Sequence, residues 1–430
     1  MEVTLEGKAY INGSFENCCI GIKNGKIHQL KKVLTGEHHI NFGNNLVLPA
    51  GIDIHVHFRE PGYTNKEDFK TGSLSAAYGG ITCVFDMPNT LPPTTTQKAI
   101  EEKIHMAEKK SHTDFGIFAG INDDNITNIK TLGKKCSGFK IFLGETTKSF
   151  CLKDINLNRA LKEVDNTKKI SLIHAEDEKC LRKHKRPEQN LKDHCKNRPS
   201  ECEETSIKLL LDNCKNISSK IHICHLSSCA GLETLKAHPK NISIGVTPHH
   251  LFFDVENINS KQNFFKVNPP IRTPVDRESL SSGISNGFID ILESDHAPHT
   301  LDEKEQEFEK APSGIPGIET TYPLFLNEVK NQRLSFNRLI SLMCEKPAEL
   351  LKINKGKIEV GRDADLIVID FKRITKIQSE NLHYKCGWTP YEGKNGLFPS
   401  YVFLRGEEVI QDFELVASQG IGRNVNDFFP

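Results

Sequence analysis

No stretch of this chain approaches the roughly 20 consecutive apolar residues that a membrane-spanning helix needs, so a helical membrane protein is not expected. Nor does one sign of charge dominate: 56 Lys+Arg balance 56 Asp+Glu, for a formal net charge of zero. A balanced chain gives no reason to expect a nucleic-acid or anionic-membrane partner. Local pairs such as Lys109-Lys110 and Lys134-Lys135 read as solvated helix faces. Residues 1–6 lack the charged-then-apolar pattern of an export signal, and there is no CxxC pair, low-complexity tract or internal repeat. The 13 cysteines are odd in number and scattered in spacing. Reduced thiols in a cytoplasmic protein are therefore expected, in place of a disulfide framework.

What is present begins with length. At 430 residues the chain exceeds one small core, and a large domain with a smaller companion is the expectation. Between about residues 50 and 300, short apolar runs alternate with longer Lys/Glu-rich amphipathic segments such as 96–110 and 206–216. The runs fall at 52–57, 81–87, 115–120, 139–143, 170–174, 221–226, 242–247 and 289–294. Strands alternating with helices pair in parallel, and this number of units is what a (β/α)8 TIM-like barrel needs; a doubly wound open sheet is the alternative. The flanks differ. Asn12-Gly13 and Asn24-Gly25 lie between alternating runs, a hairpin signal, and the C-terminal part carries Asp365-Leu366-Ile367-Val368-Ile369-Asp370 and Tyr401-Val402-Phe403-Leu404. The expected α/β organisation is a barrel over 49–352. A small β-sandwich is then built from both termini, 1–48 and 353–430.

The polar residues cluster at the C-terminal ends of the barrel runs, where active sites of such barrels lie. The first run ends in His55-Val56-His57; residues two apart on a strand face the same way, so both imidazoles can reach one metal ion. The second is followed by Pro88-Asn89-Thr90, the fourth carries Lys140, the fifth ends in His174-Ala175-Glu176, the sixth in His225, and the eighth in Ser294-Asp295-His296-Ala297-Pro298-His299. Any one strand-end histidine is more often structural than ligating; their coincidence around one ring is the argument. Imidazoles with a carboxylate suit zinc. Lys140 is the odd member, since an ammonium beside two dications is repelled. Buried near positive charge it can lose its proton and, as a neutral amine, take up carbon dioxide to become an anionic carbamate. An ordinary lysine paired with Glu145 or Asp295 is the other reading.

Taken together, HVHFREPGYTNKEDF (55–69), GGITCVFDMPNTLPP (79–93), GFKIFLGET (138–146), HAED (174–177), HICHLSS (222–228), VTPHHLFF (246–253), VNPPIR (267–272), SDHAPHT (294–300) and GIPGIET (314–320) resemble the dihydroorotases of the amidohydrolase superfamily. The resemblance is to the long class that includes the dihydroorotase domain of the animal multifunctional pyrimidine enzyme, and GRDADLIVID (361–370) is similar to the superfamily's C-terminal β-domain. The resemblance implies reversible hydrolysis of L-dihydroorotate to N-carbamoyl-L-aspartate, run toward ring closure in pyrimidine biosynthesis. It implies two zinc ions, one on His55, His57 and Asp295 and one on His174 and His225, bridged by carboxylated Lys140 and a hydroxide. His222 competes with His225 within HICHLSS, and the family pattern favours His225. Asp295 would be the catalytic acid–base, Arg59, Asn89 and His299 would hold the substrate carboxylate, and Asn268 and backbone around 314–317 would contact the ring. Thr146 matches a loop residue over the substrate, whereas Thr147 stands where the animal enzyme has an aromatic. A homodimer and an association with aspartate carbamoyltransferase are family expectations. Two alternatives are open: another cyclic amidohydrolase (allantoinase or dihydropyrimidinase), or a non-catalytic homologue.

Overall fold

The computed structural model describes residues 1–144 and 150–428. Its first strands are β1 (Val3–Ile11), β2 (Ser14–Lys23), β3 (Lys26–Lys31) and β4 (His38–Pro49). The β1–β2 and β2–β3 connections are Asn12-Gly13 and Asn24-Gly25, with φ of 49° and 86°, and 51° and 73°. Two successive positive φ angles are what a type I′ hairpin turn demands, and Asn-Gly supplies them at least cost.

Eight parallel strands follow: β5 (Gly51–Val56), β6 (Ile81–Asp86), β7 (Asp114–Ile121), β8 (Gly138–Phe142), β9 (Ile170–His174), β10 (Ile221–Ile223), β11 (Ile242–Val246) and β12 (Ile291–Leu292). They pair in chain order. The ring closes where Val56 bridges His296 in parallel and the His57 amide donates to the His296 carbonyl at 2.8 Å. The fold is thus the expected (β/α)8 barrel. Between strands lie α1 (Phe69–Tyr78), α2 (Gln97–Lys110), α3 (Ile129–Leu132) and α4 (Asp154–Thr167). Three helices, α5 (Glu178–His184), α6 (Leu191–Asn197) and α7 (Ser200–Asn213), fill the long β9–β10 crossover.

Local chemistry sets these boundaries. Thr96 stays outside α2 as its N-cap, its hydroxyl accepting from the Ala99 amide at 3.2 Å, and Ile100 and Ala107 turn to the core. α7 starts at Ser200, upstream of the expected 206–216, because Pro199 at its N-cap is pre-set to open a helix. The last strands are shorter than their apolar runs suggest. β10 stops at Ile223 and β12 at Leu292 because the backbone leaves the ladder at His225 (φ 39°) and Asp295 (φ 44°).

The chain then returns to the first sheet with β13 (Leu366–Ile369). After a separate two-stranded pair, β14 (Thr375–Lys376) and β15 (Asn395–Gly396), come β16 (Tyr401–Leu404), β17 (Glu407–Gln411) and β18 (Glu414–Leu415). The order β18-β17-β16-β13-β4-β1-β2-β3 joins both termini in one mixed sheet through the antiparallel β13–β4 pair. Leu5, Ile20, Val47, Leu366, Val368 and Phe403 form a core of its own. A buried charge cluster ties it to the barrel: Lys355 Nζ lies 2.8 Å from Asp114 of β7 and 2.7 Å from Asp365 beside β13, and Arg405 also pairs with Asp114. Among the described residues no helix is long and apolar enough to cross a membrane.

Candidate metal centre and anion pocket

Strand alternation aims the ligand candidates inward. Phe139 and Ile141 belong to the core shared with the helices, so Lys140 between them faces the barrel interior. The same period turns His174, Cys224, Glu293 and Asp295 to the inside, opposite Ile173, Ile223 and Leu292, which pack outward. Three predicted site residues, Arg59 (φ 61°), His225 and Asp295, have left-handed backbone. That conformation is costly outside glycine and concentrates at functional sites.

The first cluster joins two distant segments. His57 Nε2 and His55 Nε2 lie 3.1 and 3.4 Å from the same oxygen, Asp295 Oδ1. His57 Nδ1 donates to Asn89 Oδ1 at 2.7 Å, which leaves the Nε2 lone pair facing the carboxylate. Burial pushes His57 down to about 3, so its imidazole is neutral at physiological pH. Lone pairs converging on a carboxylate oxygen repel one another unless a cation sits among them, and these three groups lie close enough to share one.

The second cluster is alike. His174 Nδ1 lies 3.2 Å from His225 Nε2. His174 Nε2 donates to Glu176 at 2.8 Å, and Arg198 pairs with Glu176 from behind. With its Nε2 proton committed, His174 presents a lone pair to His225. The structure thus brings His225 to His174. His222 lies elsewhere, between Ser243 Oγ at 2.9 Å and Glu293 Oε2 at 3.4 Å. Lys140 is fully buried, its Nζ 3.1 Å from Cys224 Sγ. It has no carboxylate within 4 Å among the described residues, and Asp295 is not its partner; Glu145 and Thr146 lie outside those residues. The buried atoms His55 Nδ1, His225 Nδ1 and Glu293 Oε2 have no hydrogen-bond partner among the described residues. Unsatisfied buried donors and acceptors are rare in proteins, and the donor set of imidazoles and carboxylate fits divalent metal.

Beside this cluster lies a buried guanidinium. Arg59 is buried, its Nε donating to the Pro298 carbonyl at 3.2 Å and its Nη2 3.3 Å from His299 Nε2. No carboxylate lies within 4 Å of it among the described residues. His299, pushed down to about 3 chiefly by burial, is neutral, and its Nε2 also faces the Ser313 carbonyl at 3.1 Å. Asn268 is half-buried on the far wall, where its Oδ1 accepts from His194 Nε2 at 2.9 Å. Gly314 (φ 152°) lies against His299, and a Cβ there would meet the Ala297 carbonyl at 2.3 Å.

Several contributors carry no sequence signal strong enough to single them out. Glu293 accepts from the His225 amide at 2.6 Å and lies 3.5 Å from His55 Nδ1; its only hint is its place two residues before Asp295, on the same strand face. Glu176 and Arg198 orient His174, but Arg198 stands in an unremarkable crossover. His249 is fully buried with neither ring nitrogen hydrogen-bonded among the described residues. The thiols also depart from expectation: Cys180 and Cys202 form a disulfide.

Comparison with known proteins accords with this geometry. Residues 46–409 match the amidohydrolase family. The chain is 37% identical to a dihydroorotase of Methanosarcina mazei, covering 97% of this chain and 95% of that protein. It is 39% identical to a dihydroorotase of Thermoplasma volcanium, covering 99% and 98%. Among solved structures, an L-hydantoinase (dihydropyrimidinase) from Arthrobacter aurescens superposes with a TM-score of 0.95 at 28% identity, covering 99% of both chains.

Proposed function

This chain belongs to the amidohydrolase family and is a hydrolase of cyclic amides, and from that premise we propose that it is a dihydroorotase, interconverting L-dihydroorotate plus water with N-carbamoyl-L-aspartate in pyrimidine biosynthesis. The observation that carries the substrate choice is Arg59. A buried guanidinium without a carboxylate partner is costly to leave unpaired, and it is shaped to grip a carboxylate bidentately. Dihydroorotate carries a ring carboxylate; hydantoin, dihydrouracil and allantoin do not. The relatives named above support the same choice.

His55, His57 and Asp295 would hold one zinc ion and His174 and His225 a second, with Lys140 between them as a carbamate. When bound, the metals lower the pKa of water and polarise the carbonyl that is attacked. Arg59, Asn89 and His299 hold the substrate carboxylate and fix the ring's orientation. Asn268 and the backbone at 314–317 meet its amide edge. Asp295 takes the proton from the attacking water and delivers it to the leaving ring nitrogen; in ring closure it works in reverse. General acid–base transfer of this kind contributes about 10²–10⁴-fold. The enzyme would work in the cytoplasm as a homodimer, with an aspartate carbamoyltransferase association to be tested by co-elution.

The likeness to a hydantoinase structure makes carboxylate-free rings the competing substrates. Zinc-loaded protein is therefore assayed for ring opening of L-dihydroorotate, hydantoin, dihydrouracil and allantoin in parallel. Turnover of dihydroorotate alone is expected. Preference for a carboxylate-free ring would keep the metal centre and discard the substrate. No turnover with zinc bound would leave a non-catalytic homologue.

A further inference from the structure

The one disulfide among the described residues spans the mouth of a loop that supports the metal centre. Cys180 lies in α5 and Cys202 in α7, 22 residues apart in sequence. The two helices meet beside the bond, where the Asp177 amide donates to the Cys202 carbonyl at 2.9 Å and the Asp177 carboxylate caps α5 through the Cys180 amide at 2.7 Å. The closed loop contains the groups that fix two predicted site residues. Arg198 Nε donates to Glu176 at 3.1 Å, and Glu176 fixes the tautomer of His174. His194 holds Asn268 Oδ1, while Glu188 reaches back to His194 Nδ1 and Lys266 Nζ at 2.8 and 2.7 Å. The cysteines thus clamp the two ends of a segment whose inner face is the outer support of His174 and Asn268.

We infer that the Cys180–Cys202 disulfide is a positioning crosslink for the metal centre, and that its reduction loosens His174 and Asn268 and makes the site thiol-sensitive. This rests on the reading of His174 as a ligand and Asn268 as a substrate contact. The chemistry is thiol–disulfide exchange: two glutathione thiols become glutathione disulfide as the Cys180–Cys202 bond is converted to two thiols, and oxidised glutathione drives the reverse. Partners that orient a ligating histidine typically carry 10–100-fold in metal affinity or activity, so losing their anchorage has a measurable consequence.

The test uses the full zinc-loaded chain, equilibrated with reduced or oxidised glutathione and then desalted. Non-reducing peptide mapping of the oxidised protein should recover Cys180 linked to Cys202. Reduction should speed loss of one zinc equivalent to a chelator by about tenfold and raise KM by a similar factor, and oxidised glutathione should restore both. The Cys180→Ser/Cys202→Ser double variant should match the reduced protein and ignore glutathione. If that variant does not fold, the wild-type comparison decides alone. A crosslink that is merely structural would shift the melting temperature and leave zinc release and KM unchanged, which overturns the proposal; absence of the linked peptide also does. So does an extra zinc equivalent gained on reduction, which would assign Cys180, Cys202 and the nearby His184 to a metal site instead. Chelator release needs no substrate, so failure here is separable from failure of the dihydroorotase reading.

Discussion

At the scale of the residue, the proposed function assigns the chemistry to Asp295 and the recognition to Arg59. Asp295 Oδ1 faces both His55 and His57. Asp295→Asn keeps an oxygen in that place but gives up the base. The variant should retain most of its zinc by elemental analysis while kcat falls by about 10²–10⁴-fold; near-normal kcat would remove Asp295 from the proton path. The Arg59 guanidinium makes two hydrogen-bond contacts among the described residues, to Pro298 and His299, and neither satisfies its charge. Arg59→Ala should raise KM for dihydroorotate at least tenfold, the cost of a lost charge-assisted pair of about 1.5–3 kcal/mol, with little change in zinc content. A KM within twofold of the parent would refute the receptor role.

At the scale of the element, the α5–α7 crossover depends on Glu188. Burial alone would raise its carboxyl, but His194 and Lys266 outweigh that and hold it down to about 2. A carboxylate whose folded pKa lies below its unfolded value, about 4.3, stabilises the fold above that value, and the contribution is lost as pH falls through the folded pKa. Glu188→Gln should therefore lower the urea midpoint at pH 7, and the gap from the parent should narrow between about pH 4.3 and 2. A gap independent of pH would show that the pairs contribute no linkage. The element scale is also where sequence reading is strongest. Short apolar runs bounded by charged helices suffice to count the barrel strands, and a histidine at a strand end is visible as an exception to the apolar pattern. Glu293 and Arg198 are not visible in that way, since a lone charged residue resembles the solvated ones around it until the fold shows what it touches. Cys180 and Cys202 meet only because α7 returns past α5, which no spacing encodes.

At the scale of the whole molecule, the terminal sheet and the barrel are joined by Lys355 with Asp114 and Asp365. Asn-Gly hairpins signal strands at the N-terminus, but the antiparallel β13–β4 pairing that unites the termini is a long-range contact with no local signature. Burial alone would raise Asp114; Lys355 and then Arg405 hold it low, so removing the lysine leaves buried carboxylates short of a cation. Lys355→Met should destabilise the protein by about 3–5 kcal/mol, read as a lower denaturant midpoint with the active-site residues untouched. A midpoint unchanged from the parent would mean that Arg405 alone neutralises the cluster.

The barrel seam sets an order of events in the life of the chain. His57 and Asp295 stand 238 residues apart in sequence, just past the ends of the first and eighth barrel strands, beside the seam where Val56 bridges His296. A growing polypeptide cannot offer its first imidazole pair a carboxylate partner until the eighth strand has left the ribosome and docked against the first. Before that, His55 and His57 are an incomplete chelate with only weak hold on any ion. If these groups hold a metal as proposed, its tight uptake is coupled to completion of the ring, and metal retention would serve as a clock for the final step of folding.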